Sequence, residues 1–132
     1  MKKIIVRALC IILIIAVLLP SVFATESNSV QPRYTYARMF VAEIDITNTV
    51  ATCSATFSTY NPHDLKLLCH LQQNIDGTWK TISRWSVETS NSLYVTSERI
   101  CGILIGEQYR FVAYGYVYSG DSLLESAYKY AT

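Results

Sequence analysis

The sequence predicts an all-β protein, a seven-stranded antiparallel β-sandwich that follows an N-terminal signal helix. Three observations predict this class. Beyond residue 33, apolar and polar residues alternate with a period of two, which is typical of half-buried strands. Clusters of turn-forming residues interrupt the alternation at short intervals. No helical periodicity is visible in the remainder of the 132-residue chain.

The first 24 residues have the layout of a secretory signal peptide. Lys2, Lys3 and Arg7 form a basic start, residues 8–19 are uninterrupted apolar residues, and Ala24 ends a cleavage sequence. We expect cleavage after Ala24 and a secreted, extracellular protein. An uncleaved signal anchor that tethers the protein to a membrane is the alternative, although twelve apolar residues fall short of the ~20 that span a bilayer.

Cleavage leaves 108 of the 132 residues. We predict a flexible lead-in over residues 25–33 and one domain over residues 34–132. The remaining chain keeps eight Lys and Arg against ten Asp and Glu, so the net charge changes from +1 to −2. A mildly acidic domain is not attracted to nucleic acid or to acidic lipid, and we expect neither partner and no stable membrane insertion after cleavage.

The predicted strands are residues 34–47, 50–60, 65–73, 78–87, 92–97, 109–118 and 123–130. In the second strand every other residue from Ala51 to Phe57 is apolar, so these side chains face the core. The cluster Asn61-Pro62-His63-Asp64 predicts a turn before the third strand. Asp76-Gly77 predicts a hairpin between the third and fourth strands, and Ser119-Gly120-Asp121 turns the chain into the last strand.

One local motif gives this sandwich a family resemblance. Residues 103–113, ILIGEQYRFVA, resemble the E–F corner of fibronectin type III domains, with Gly106 and Tyr109 at the glycine and tyrosine positions. Phe111 and Ala113 take the inward positions that follow. The resemblance implies an immunoglobulin-like, fibronectin type III-like sandwich with a structural corner in which the Tyr109 hydroxyl bonds to upstream backbone. The whole chain also resembles small secreted proteins of Gram-positive bacteria, and this resemblance implies no activity.

Three cysteines remain after cleavage: Cys53, Cys69 and Cys101. Cys53 and Cys69 are equally distant from Asn61 in the chain and both point inward by alternation. A disulfide between them is one interpretation, a disulfide that includes Cys101 is a second, and three buried thiols that act as small apolar side chains are the third. The odd count leaves at least one cysteine unpaired or bonded to another chain.

The chain lacks the residue spacings of a metal or catalytic site. Cys69 and His70 are adjacent and leave a strand on opposite faces, and His63 falls in a predicted turn. The ten acidic residues are scattered, and a 108-residue sandwich has little room for a deep pocket. We predict a protein that is not an enzyme, with no catalytic residue, no metal and no cofactor.

Alternation also leaves aromatic side chains on the outer face of one sheet. An even-numbered loop at Asp76-Gly77 and an inward Tyr109 set which residues face out. The predicted binding face consists of Trp79, Trp85, Tyr114, Tyr116, Tyr118 and His70. Exposed Trp and Tyr dominate binding hot spots, which indicates a binding or adhesion module for an extracellular protein or glycan. Two alternatives stay open: a structural protein that buries this face in a homo-oligomer, and aromatic residues that merely suit a solvated sheet.

Overall fold

A computed structural model describes residues 33–132, and five antiparallel strands make up most of this range. The strands are β1 (Ala37–Thr47), β2 (Val50–Ile75), β3 (Thr78–Gly102), β4 (Tyr109–Ser119) and β5 (Ser122–Ala131). The predicted signal peptide and residues 25–32 of the predicted lead-in lie outside the described residues. Among the residues that are described, no helix has the length and hydrophobicity that crossing a membrane requires.

The strands form one curled antiparallel sheet with the long strand β2 at its centre. Residues 50–58 of β2 pair with β1 on one side and with residues 94–102 of β3 on the other. Residues 63–75 of β2 pair with residues 78–92 of β3 and with β4, and β5 pairs beyond β4. The sheet therefore has a three-strand half and a four-strand half, which share β2 and β3.

The structure has five strands where the periodicity predicts seven, because Asn61 to Asp64 bends β2 without ending it. The register shifts on both sides of His63, and Pro62, which has no N–H to donate, falls in this interruption of the ladder. β3 bends beside it, where the Asp64 carboxylate accepts a 2.9 Å hydrogen bond from the N–H of Asn91. Asn91 has a positive φ of 47°. The predicted fourth and fifth strands are thereby joined into β3 as well.

Buried side chains from both halves meet in one core. The largest fully buried hydrophobic side chains are Phe57, Phe111, Leu65, Leu67, Leu71, Val95 and Val117. Phe57, in the three-strand half, lies against Gly115 of β4, where an added Cβ would come within 2.8 Å of the Phe57 ring. This close approach requires glycine at position 115 and brings the two halves face to face.

Tyr109 orients the chain as it enters β4. Its side chain is buried, and its hydroxyl accepts a 2.9 Å hydrogen bond from the N–H of Leu104. Between these residues Gly106 has a φ of +85°, which residues with a Cβ rarely adopt. On the upstream side, the N–H of Ile103 donates to the carbonyl of Thr49 at 2.8 Å. These contacts determine which side of β4 faces the core.

Glu125 connects β5 to the beginning of β1. Its carboxylate accepts hydrogen bonds from the backbone N–H groups of Thr35 (2.7 Å), Tyr36 (3.1 Å) and Ala37 (2.6 Å). Hydrogen bonds to an ionised acceptor are about twice as strong as neutral ones. One side chain therefore satisfies three consecutive backbone donors and attaches the beginning of β1 to the last strand.

Candidate functional site

The outer face of the four-strand half carries three tyrosines from β4. Tyr114 lies opposite Leu68, Tyr116 opposite Lys66 and Tyr118 opposite Asp64. All three tyrosine side chains are half-buried, whereas the odd-numbered residues between them are buried in the core. Residues directly opposite in an antiparallel pair share a face, so these tyrosines stand on the solvent side of β2 and β4.

The last strand adds two tyrosines that sequence reasoning did not place on this face. Tyr128 lies opposite Tyr114, and Tyr130 lies opposite Val112. Their side chains are 65% and 61% exposed, more than those of the three tyrosines of β4. The signal that could have found them is the alternation of β5, because the same parity that buries Ala127 exposes its even-numbered neighbours.

The five side chains form one surface, which we call the tyrosine surface: Tyr114, Tyr116, Tyr118, Tyr128 and Tyr130. Ring centroids are 6.4 Å apart for Tyr114 and Tyr128, and 6.4 Å apart for Tyr116 and Tyr118. These separations are within the range of aromatic contacts. The first contact joins β4 to β5, and the second lies within β4.

His70 borders the tyrosine surface. Its ring meets that of Tyr114 edge-on, with centroids 5.4 Å apart, and its Nδ1 lies 3.4 Å from the hydroxyl of Thr81. Its Nε2 is buried and has no hydrogen-bond partner among the described residues. Burial, together with the charge of Arg84, lowers the pKa of His70, so the imidazole is neutral at neutral pH. His70 therefore contributes an uncharged polar ring to the predicted face.

Trp79 faces outward but stands apart from the tyrosine surface. It lies opposite Asn74, whereas Tyr114 lies opposite Leu68, and six residues of β2 span ~20 Å. The guanidinium of Arg110 lies over the indole, 4.6 Å from the ring centroid, and its Nε donates a 2.7 Å hydrogen bond to Gln72. The ring is thus partly covered by a cation that a hydrogen bond holds in place.

The prediction that Trp85 belongs to the outer face is wrong, because its side chain lies on the core side of β3. It sits opposite the buried Cys69, and its indole stacks on Phe111 with centroids 5.8 Å apart and planes at 7°. The reason is a bulge: Leu71 pairs with Ser83 but Gln72 pairs with Thr81, which leaves Ile82 as an extra residue. A shift by one residue sends every later side chain to the opposite face, and Ile82, expected in the core, is 44% exposed.

The cysteines in the described residues are free thiols, so the proposed bond between Cys53 and Cys69 is not present. Both side chains are fully buried, while Cys101 is half-buried. Burial raises the pKa of Cys53 to about 12 and that of Cys69 to about 11. Both therefore stay protonated at neutral pH and are poor nucleophiles. Within residues 33–132 there is also no group of three or more His, Cys, Asp and Glu side chains that could hold a metal ion.

No protein-family model matches the sequence, and no curated protein matches it. Solved structures also match part of the chain, and two of them are described below. The crystal structure of a protein described as a beta-galactosidase from Bacteroides fragilis has a TM-score of 0.42 and 8% identity over 69% of this chain, which spans 15% of that protein. The solution structure of R. palustris CsgH has a TM-score of 0.35 and 10% identity, covering 70% of this chain and 89% of that one.

Proposed function

We propose that the chain is an exported, non-enzymatic binding or adhesion module that contacts an extracellular protein or glycan through the tyrosine surface. The observation that carries this proposal is the exposure of Tyr128 and Tyr130, 65% and 61%, beside the half-buried Tyr114. A tyrosine side chain offers a large rigid area and a hydroxyl for little loss of entropy on binding. Contiguous exposed rings on one face of a sheet are typical of an interaction site.

We further infer that the fold is immunoglobulin-like. The bends in β2 and β3 divide five strands into seven paired segments, three in one half and four in the other. That distribution, and the hydrogen bond from Leu104 to the hydroxyl of Tyr109, support the inference. Many cell-surface domains share this sandwich architecture, which agrees with the proposed function.

Export is part of the proposal and depends on the first 24 residues. The basic start, the apolar run and the small residue Ala24 support a cleaved signal peptide. The intact mass of the protein recovered from the medium tests this. A mass that begins at Thr25 supports secretion, and recovery of the uncleaved chain in the membrane fraction supports the signal anchor.

The binding experiment compares two double variants that remove equally exposed tyrosines from opposite halves. Tyr128→Ser/Tyr130→Ser alters the tyrosine surface, and Tyr60→Ser/Tyr94→Ser, which removes side chains that are 62% and 61% exposed, is the matched control. Both variants and the parent are applied to arrayed glycans and arrayed extracellular proteins. We expect a parent signal that the first variant loses and the second keeps. A signal that survives in both variants overturns the assignment.

Self-association is the second candidate function. β5 ends the strand order of the four-strand half, and the exposed tyrosines stand on that same strand. A free edge strand next to apolar rings can pair with a second copy. Light scattering across a wide range of protein concentration separates the two functions. A stable dimer that the Tyr128→Ser/Tyr130→Ser variant dissociates favours self-association, and a monomer throughout favours a free binding face.

A further inference from the structure

A second candidate site lies on the opposite half of the sheet. A solvent-open cleft of about 450 Å³ occupies the outer side of the three-strand half, next to the bend in β2 and β3. Its lining includes Arg38, Met39, Thr59, Tyr60, Leu93 and Tyr94. This volume falls within the range of small-molecule sites, about 300–1,000 Å³. None of these residues belongs to the tyrosine surface.

The walls of the cleft are mainly aromatic and aliphatic. Met39 lies opposite Ser58, and Ser58 lies opposite Tyr94, so the three strands present one row of side chains to the cleft. Tyr60 and Tyr94 are 62% and 61% exposed, and their rings are accessible to a ligand. A ligand with an apolar or ring-shaped body fits such walls, because contacts with the tyrosine rings and the Met39 thioether replace its contacts with water.

The base of the cleft is held by hydrogen bonds. Thr59 is buried, and its hydroxyl donates a 2.9 Å hydrogen bond to the carbonyl of Asn61. The same hydroxyl lies 3.4 Å from the carbonyl of Leu93, a second acceptor. The N–H of Tyr60 donates to the carbonyl of Tyr36 at 3.1 Å. These bonds connect β1, β2 and β3 at the bend, so the cleft does not depend on a mobile loop for its shape.

Arg38 supplies the charge of the cleft. The register shifts between Ala37, which lies opposite Thr59, and Met39, which lies opposite Ser58, so Arg38 is the extra residue of a bulge. Bulges redirect a side chain and are frequent beside binding sites. Among the described residues, no carboxylate forms an ion pair with Arg38 and no side-chain acceptor bonds to it, and the lining contains no acid. Arg38 is exposed, so its guanidinium is accessible to a bound anion.

We propose that this cleft binds a small organic carboxylate with an aromatic or aliphatic body, with the carboxylate on Arg38 and the body against Tyr60, Tyr94 and Leu93. Arg38 is the one charged residue that lines the cleft, so the charge of the cleft is complementary to that of a carboxylate. Guanidinium groups bind carboxylates through paired hydrogen bonds, which gives such a site preference for an acid over its amide. This site is independent of the tyrosine surface and of its partner.

Phenylbutyrate and its uncharged amide, phenylbutyramide, test the proposal as matched probes of equal size. Amide NMR titration of the purified protein reports affinity and location together. We expect saturable shifts around Tyr60 and Tyr94 with the acid, and roughly tenfold weaker binding of the amide. Arg38→Gln should weaken binding of the acid by about the same factor and leave binding of the amide unchanged.

Arg84→Gln is the matched control, because Arg84 is also exposed but lies on the four-strand half beside His70. It should leave both affinities unchanged. Tyr60→Ser/Tyr94→Ser should weaken acid and amide alike, and Tyr128→Ser/Tyr130→Ser should affect neither. Equal affinities for acid and amide overturn the proposal, as does an equal loss in the Arg84→Gln and Arg38→Gln variants, or the absence of saturable shifts at the cleft.

Discussion

The indole Nε1 of Trp85 donates a 2.9 Å hydrogen bond to the hydroxyl of Ser97, twelve residues further along the same strand. A straight strand would separate these residues by ~40 Å. The contact exists because β3 bends with β2 and returns across the core. It therefore links the four-strand half to the three-strand half and holds the Trp85 indole against the core.

The two tryptophans should differ sharply in their effect on stability. Trp85→Ala removes the stack on Phe111 and the hydrogen bond to Ser97, and we expect a loss of about 2–3 kcal/mol in the free energy of unfolding. Trp79→Ala removes an outward ring beneath Arg110 and should cost less than about 1 kcal/mol. Urea unfolding of both variants measures the difference. Equal losses of unfolding free energy would contradict the different environments that the structure gives the two indoles.

Gly115→Ala should destabilise the core, because its new Cβ would lie 2.8 Å from the Phe57 ring. The ring is fully buried, so we expect a cost of about 1–3 kcal/mol for the shift that the new Cβ forces. Phe57→Leu combined with Gly115→Ala provides the control. In a double-mutant cycle by urea unfolding, the two changes should cost less together than the sum of the single changes. Strict additivity would contradict the contact.

Tyr109→Phe keeps the buried ring and removes the acceptor for the N–H of Leu104. The donor is left without its partner, so we expect a loss of about 1 kcal/mol in stability. Amide hydrogen exchange at Leu104 should become faster in the variant. Tyr128→Phe, which removes a hydroxyl from an exposed ring, serves as the comparison and should change neither quantity.

Glu125→Gln should loosen the beginning of β1. The amide retains one acceptor oxygen for the three N–H groups of Thr35, Tyr36 and Ala37, and it carries no charge. We expect a loss of about 1–3 kcal/mol and faster exchange confined to these three amides. Glu43→Gln, an exposed position in the middle of β1, is the matched control. Unchanged exchange at residues 35–37 would contradict the role given to Glu125.

The buried thiols make the free energy of unfolding depend on pH in the alkaline range. Burial raises the pKa of Cys53 to about 12 and of Cys69 to about 11, from 9.0 when unburied. Unfolding therefore releases protons above pH 9, and the stabilisation that is present below this pH is lost as the pH rises toward 11. The double variant Cys53→Ala/Cys69→Ala should show a shallower decline between pH 9 and pH 11 in urea unfolding. An identical pH dependence would show that neither thiol contributes.

Local pattern was sufficient for much of the candidate site. An inward Tyr109, which the tyrosine corner implies, together with the alternation of β4 placed Tyr114, Tyr116 and Tyr118 on the side away from the core. The same reasoning failed at Trp85, since it assumed an uninterrupted ladder after the Asp76-Gly77 turn. No residue type around Ile82 distinguishes a bulge from a regular strand, and only the pairing of β3 with β2 reveals the bulge.

What the sequence by itself determined is the all-β class and the inward side of β2 and β4, because a period of two depends only on neighbouring residues in the chain. Tertiary structure alone decided that Asn61 to Asp64 bends β2 without ending it and that Tyr128 lies opposite Tyr114. It also decided that Trp85 packs against the core. These outcomes depend on the register between strands that are distant in the chain, and the packing of both halves against each other sets that register.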